Sequence, residues 1–263
     1  MRSCAPSGLA HIGGQENILP WGDLMTGQKT IAIFGAGTGL GASVAARFGR
    51  EGYRIALIAR GAAGLDRLKG NLAEQGIEAH SFPTDLTDLA AIPSLVQTIE
   101  ARLGSIDVAL FSPISSTTYF VPAVDLDSRY LQSISPLLTW APIELAHALM
   151  PGMRSRGDGA FIVADGLSAV LPVAGMSGPG PAMAATRNYI MTLHEEVRAD
   201  GVFAGMLHVG AMINNSAGMA AALAAGMVLD SFPVVDPDML ADEVWSLASA
   251  RNRAESILPP LHR

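Results

Sequence analysis

Cysteine is nearly absent from this chain: Cys4 is the only one in 263 residues. A lone thiol excludes an intrachain disulfide and leaves no set of thiolates for a metal cluster. A cytoplasmic location is the expectation that follows. Charge is sparse, at 16% of residues, and the net charge is −7. That balance is wrong for a general binder of nucleic acid. Small-molecule substrates and ordinary protein partners fit better. Although 49% of residues are hydrophobic, no apolar run approaches the length of a membrane span, and no membrane partner is expected. No His, Asp or Glu cluster has metal-ligand spacing. Lysine is scarce: Lys29 and Lys69 are the only two, both early in the chain.

Residues 1–28 stand apart from the rest. They are rich in glycine and polar residues, keep no steady period, and lack the basic start and apolar stretch of a secretion signal. They read as a disordered extension or as residues upstream of a true start at Met25; a partner-binding arm is a third reading. From Thr30 onward, apolar runs alternate with helical patterns. Strands are expected near 30–35, 54–60, 77–82, 106–112, 159–165, 202–209 and 254–258. Helices are expected near 40–51, 62–75, 88–103, 128–153, 181–199 and 237–250. This alternation implies one α/β domain over residues 29–263, a Rossmann-like doubly wound parallel sheet of about seven strands with helices on both faces. Residues 211–235 interrupt the rhythm. Their small, Met-rich composition directly after a strand end reads as a lobe covering a substrate, or as a surface helix with a Met-filled underside.

The most informative stretch is Ile31-Ala-Ile-Phe-Gly-Ala-Gly-Thr-Gly-Leu-Gly41. It reads as a buried strand, a glycine turn and a helix start. Gly35, Gly39 and Gly41 let the backbone turn and approach a ligand with no Cβ in the way. Gly37, Thr38 and Leu40 complete the loop. The helix that follows aims its free N–H groups and positive dipole end at an anion, which makes a cradle for a dinucleotide pyrophosphate.

From Lys29 on, the chain resembles the short-chain dehydrogenase/reductase family. That family's glycine pattern, Thr-Gly-x-x-x-Gly-x-Gly, appears as Phe34-Gly35-Ala-Gly-Thr-Gly39-Leu-Gly41. The second strand ends in Arg60, where NAD-binding relatives place an acid for the ribose hydroxyls. A guanidinium grips a 2′-phosphate that an acid would repel, so the resemblance implies NADP(H); a solvated strand-end arginine is the plainer reading. Asp85-Leu86 resembles the family's pair beside the adenine, although Asp85 would serve equally as a cap before Leu89. The family's Asn-Asn-Ala-Gly would fall at 111–114, where this chain has Phe111-Ser-Pro-Ile114, leaving Ser112 as a cofactor contact. Gly210 corresponds to the glycine of the family's Pro-Gly beside the nicotinamide. The long helices near 128–153 and 181–199 imply a homodimer or homotetramer.

The resemblance also locates a catalytic Tyr, Lys, Ser and Asn. Counted from the helix containing Arg187, these positions hold Pro179, Met183, Gly166 and part of Ser135–Leu138. With no lysine after Lys69, no shift of alignment restores the Lys, and neither proline nor methionine transfers a proton. Other polar groups lie at the same strand ends: Asp165, Ser168, Ser112, Ser115, Tyr119, His208 and Asn214. Of these, Asp165, Ser168, Tyr119 and His208 are the catalytic candidates. Each also has a structural reading: Asp165 and Ser168 bonding turn amides, Tyr119 packing, and His208 as a satisfied core histidine.

Three function classes follow. The first is an NADP(H)-dependent oxidoreductase acting on a small carbonyl or imine with unusual acid chemistry. The second is a protein of the same fold without redox work: an isomerase, lyase, cyclase or cofactor-binding regulator. The third is a methyltransferase, whose glycine loop Gly35-Ala-Gly-Thr-Gly39 also resembles, though Arg60 and Phe34 stand where that fold wants other residues. A serine hydrolase is excluded, because Ser177 lacks the flanking glycine and the elbow context.

Overall fold

Strand β1 (Thr30–Phe34) is buried along its whole length. Its alternate residues face opposite ways: Ile31 and Ile33 join one apolar cluster, Ala32 and Phe34 the other. A strand buried on both faces belongs inside a parallel sheet covered by helices on both sides. The computed structural model, which describes Met1, residues 27–115, 118–224, Gly226 and residues 232–261, has that architecture.

In chain order the strands after β1 are β2 (Arg54–Ala59), β3 (Ala79–Pro83), β4 (Val108–Phe111), β5 (Gly159–Gly166) and β6 (Val202–Val209). Two short strands, β7 (Met212–Ile213) and β8 (Val234–Val235), precede β9 (Glu255–Leu258). Seven strands form one sheet in the order β3-β2-β1-β4-β5-β6-β9, every neighbouring pair parallel. Strands β7 and β8 pair separately.

The helices are α1 (Leu40–Arg50), α2 (Ala62–Ala73), α3 (Ile92–Leu103), α4 (Ser128–Ser135), α5 (Ala141–Arg156), α6 (Pro179–Val197), α7 (Ala217–Ala224) and α8 (Pro237–Ala250). The cluster built on Ile31 and Ile33 takes its helical partners from α1, α2 and α8, including Val44, Phe48, Leu65, Leu240 and Val244. The cluster on Ala32 and Phe34 takes them from α3, α5 and α6, including Ile99, Leu145 and Ile190. Each such side chain, fully buried, contributes about 1.5–3 kcal/mol. Among the described residues, no helix is long and apolar enough to cross a membrane.

The expected helix over 128–153 is interrupted. Between α4 and α5 the backbone makes a π turn, Pro136–Trp140, closed by the Ala141 N–H on the Pro136 carbonyl. Proline has no N–H to continue the ladder and its ring crowds the preceding turn, which favours a widened turn there. Helix α6 grips this turn. Buried Thr186 donates its hydroxyl to the Leu138 carbonyl at 2.6 Å, and buried Thr139 donates to the Ala182 carbonyl at 3.0 Å. The 1–28 extension lies outside the described residues save for its ends, as do residues 225 and 227–231 of the expected lobe.

Candidate functional site

In this sheet the winding reverses beside β1: β2 lies on one side and β4 on the other. Ligands of such sheets bind past the carboxyl ends of the strands at that reversal. The glycine loop is there. Gly35 and Ala36 both donate their N–H to the Ile58 carbonyl at 2.9 Å, which ties the loop to β2. Gly35 has φ of +106°, and a Cβ on it would lie 2.5 Å from the Pro113 nitrogen. A Cβ on Gly41 would meet the Ala36 Cα at 2.8 Å, and one on Gly39 the Ser216 Cβ at 2.8 Å. The loop is therefore a backbone surface that side chains would fill.

Helix α1 begins after Gly39 with no side-chain cap. Among the described residues, no acceptor takes the N–H groups of Leu40 and Gly41. Gly37 and Thr38 are exposed above them. Open N–H groups at a positive helix end suit a phosphate anion. The Ser112 Oγ, at the end of β4, is buried without a hydrogen-bond partner among the described residues, so a polar group is on offer beside the cradle.

Arg60 is exposed at the end of β2. It stands close enough to Asp85 to help hold that carboxyl below its usual range, after the backbone and hydroxyl hydrogen bonds from Thr87. Those bonds, 3.0 and 2.8 Å, both reach Oδ1, so Asp85 shapes its own turn and caps no helix before Leu89. The side chain of Leu86 is buried in the core, which leaves only its backbone for a ligand.

A second group of side chains converges below the ends of β5 and β6. Asp165 pairs with His208 in the strand register, and the two side chains meet with Oδ1 2.6 Å from Nδ1. His208 is fully buried and the Asp165 side chain is 6% exposed. The other ring nitrogen of His208 lies 3.3 Å from Oε2 of Glu255 on β9. Arg187 of α6 donates to both Glu255 oxygens at 2.8 Å, a bidentate pair. Burial pushes the Asp165 carboxyl up to about 6, against the pull of His208 and Arg187. The bonds from Arg187 hold Glu255 below the usual carboxylate range. Oδ2 of Asp165 is buried with no partner among the described residues. The site thus holds a carboxyl that keeps its proton well above the usual carboxylate range, backed by a histidine and an ion pair.

Gly166, Ser168, Met183 and Pro179 sit next to this group. A Cβ on Gly166 would lie 3.5 Å from the Met183 Sδ and 3.6 Å from the Ser168 Oγ. Ser168 Oγ itself lies 3.9 Å from that sulfur. Pro179 and Met183 are buried in the first turns of α6. Lys29 pairs with Asp158 just ahead of β5, at the other end of the strands, and Lys69 is on α2. Gly210 packs against Leu167, 3.0 Å from where its Cβ would be.

Tyr119 departs from expectation. The residue is 59% exposed and its ring lies tilted against that of Tyr130, centroids 4.5 Å apart, while the Tyr130 hydroxyl donates to the Tyr119 carbonyl. It does not join Asp165 and His208; a loop residue's direction is set by its local contacts, here Tyr130. Sequence reasoning missed Glu255 and the part Arg187 plays. One signal was available: Arg187 lies beside buried Thr186 and one turn before buried Ile190, and an arginine so near a sheet needs an acid.

Residues 29–223 match the profile of the family described as short chain dehydrogenase. A fatty acyl-CoA reductase of Mycobacterium tuberculosis is 33% identical over 136 residues, 51% of this chain and 46% of that protein. A 1-deoxy-11-beta-hydroxypentalenate dehydrogenase of Streptomyces arenae is 26% identical over 65% of this chain and 60% of its own. The chain thus spans about half to three fifths of the length of these curated relatives. Among solved structures, a metagenomic short-chain oxidoreductase in complex with NADP superposes with a TM-score of 0.73 at 23% identity, over 90% of this chain and 99% of that one. A Pseudomonas aeruginosa short-chain oxidoreductase described as containing an atypical catalytic center has a TM-score of 0.78 at 17% identity, over 89% and 98%. At these identities the structural likeness concerns the fold.

Proposed function

The chain belongs to the short-chain dehydrogenase family, and we propose that it is an NADP(H)-dependent oxidoreductase that reduces a carbonyl or imine group without the family's tyrosine and lysine. One observation carries this reading: an uncapped glycine cradle at the winding reversal with Arg60 on the neighbouring strand end. The backbone of Gly35, Gly37, Thr38, Gly39, Leu40 and Gly41 would hold the pyrophosphate, and Arg60 the 2′-phosphate. Asp85 and the Leu86 backbone would face the adenine, with Ser112 and Gly210 towards the nicotinamide. When bound, the coenzyme supplies the hydride.

The proton is the protein's to supply. With Pro179 and Met183 where the resemblance locates Tyr and Lys, we assign it to the Asp165–His208 pair, which Arg187 and Glu255 hold in place. Ser168 takes the polar position nearest Met183. The curated relatives with reductase and dehydrogenase names are consistent with redox work. Pro179 and Met183 also favour a second reading, in which the coenzyme is bound and no hydride moves.

Fluorescence titration with NADPH, NADH and S-adenosylmethionine, followed by absorbance at the NADPH band with carbonyl and imine panels, separates these readings. NADPH binding with turnover, the turnover but not the binding being lost in Asp165→Asn, supports the first. Binding without turnover supports the second. Absence of nucleotide binding overturns both. The open groove on α5 and α6, lined by His147, Met150, Pro151 and Tyr189, fits our expectation of a homodimer or homotetramer, and a cytoplasmic location remains part of the proposal.

A further inference from the structure

Charge is unevenly spread along this chain. Residues 108–124, 166–186 and 209–229 contain no Asp, Glu, Lys or Arg, in a protein where 16% of residues are charged. These are the segments that contain or follow the carboxyl ends of β4, β5 and β6. In space they form a closed circuit with the glycine loop. Pro113 lies against Gly35, the Tyr119 carbonyl and Val121 against Gly178, Leu167 against Gly210, and Ser216 against Gly39. The Ser177 N–H donates to the Val121 carbonyl and clamps the second of these contacts.

Large apolar side chains stand open on two touching loops of this circuit: Ile114, Tyr119 and Phe120 on one, Leu171 and Val173 on the other. Helix α7, next along the circuit, is built of Ala, Gly, Met and Leu and buries none of them. Exposed apolar surface gathered at one place marks a binding surface. Of the charged groups below, Arg187 is held by Glu255 on the edge strand, and Asp165 meets His208 through Oδ1 alone. An anionic substrate would leave water for a surface on which these segments offer no Lys or Arg, at a cost that an uncharged molecule avoids.

Resting on the coenzyme site proposed above, we infer that the substrate is an uncharged aldehyde or ketone on a sizeable hydrocarbon skeleton, held against Ile114, Phe120, Leu171 and Val173. Neutral groups, Ser112, Ser168 and Asn214 among them, are left to orient its oxygen. Sugars and keto acids are disfavoured, the first by the apolar wall and the second by the missing cation.

Isothermal titration of the full chain with the straight-chain 2-ketones from butanone to dodecan-2-one, with and without NADPH, tests this. Affinity rises about three- to fourfold per added methylene until the wall is covered. Leu171→Glu with Val173→Glu weakens the longest ketone about tenfold or more and leaves butanone unchanged; should that variant fail to fold, the corresponding glutamine pair is read the same way. Affinity independent of chain length, or levulinate binding more tightly than 2-hexanone, overturns the inference. NADPH binding is read in the same titrations. Its absence refutes the coenzyme site, while the ketone series still decides the substrate class.

Discussion

Asp165 Oδ1 and His208 Nδ1 lie 2.6 Å apart at paired positions of β5 and β6. Parallel pairing with side chains on the same face brings together two residues 43 positions apart in the chain. Neither would be stable there alone. A buried carboxylate without a partner is driven to hold its proton, and a buried histidine needs both ring nitrogens satisfied. The pair, extended through Glu255 to Arg187, places acid, base, acid and cation in sequence from the strand ends to the sheet edge.

Asp165 gives the fold a distinct dependence on pH. Its carboxyl keeps a proton up to about 6 when buried, against 3.8 for the exposed group. A raised folded value means that the fold binds the extra proton, so this group's stabilisation is complete below 3.8 and is lost as pH rises through about 6. Urea unfolding of the wild type and of Asp165→Asn across that range should show the wild type losing roughly 2 to 3 kcal/mol relative to the variant. Glu255, which is present in both proteins, has the opposite sign and loses stability as pH falls. A constant difference across the range refutes the raised value.

Gly35 offers a test of the loop that is independent of any ligand. Its φ is +106°, and an added Cβ would sit 2.5 Å from backbone at Pro113. Gly35→Ala therefore incurs backbone strain of about 1–3 kcal/mol and shifts the β4 end as well. Gly64, with open space around its Cβ position, is the control: Gly64→Ala lies within α2 and should stabilise by about 0.5–1 kcal/mol. Thermal unfolding of both variants checks the contrast, which disappears if Pro113 moves away freely.

The parallel sheet was legible because strands buried on both faces read as continuous apolar runs, such as Ile31-Ala-Ile-Phe34 and Ile55-Ala-Leu-Ile58. The cradle was legible because Gly35, Gly39 and Gly41 keep a fixed spacing between a strand and a helix. The π turn was not, since Pro136 sits inside a helical period that continues on both sides, and periodicity does not distinguish a stop from a widened turn. Asp165 and His208 were visible as polar residues at strand ends, but their meeting depends on which strands pair. Glu255 was hidden for the same reason, 47 residues from His208. Tyr119 lies apart from them, against Tyr130, a contact that its place in the chain does not reveal.

Thr186 tests the grip of α6 on the π turn. The residue is 1% exposed, and its hydroxyl donates to the Leu138 carbonyl at 2.6 Å. Thr186→Val keeps the shape and leaves that carbonyl without its donor, at a cost of about 1–3 kcal/mol. The loss should appear in chemical unfolding, and coenzyme affinity should stay unchanged because the cradle lies on other elements. Thr186→Ser, which keeps the hydroxyl, should lose much less, and a Thr186→Val protein as stable as the wild type would refute the grip.

In the proposed function, Arg60 selects between the two nicotinamide coenzymes. It is exposed at the end of β2, beside an Asp85 whose Oδ1 is already engaged by Thr87. Nothing about such an arginine stabilises the fold strongly, because exposed charges contribute little. What it offers is a planar fork of donors where the proposed coenzyme would put its 2′-phosphate. Arg60→Ala should leave thermal stability within about 0.5 kcal/mol. It should weaken NADPH roughly ten- to hundredfold, the equivalent of the charge-assisted bonds removed. NADH, which carries a hydroxyl there, should change by no more than about twofold, since only long-range charge is lost. Raising the salt concentration should narrow the NADPH gap between wild type and variant by screening the same interaction. Equal losses for the two coenzymes would place Arg60 on the adenine or the pyrophosphate and remove the reason for preferring the phosphorylated form.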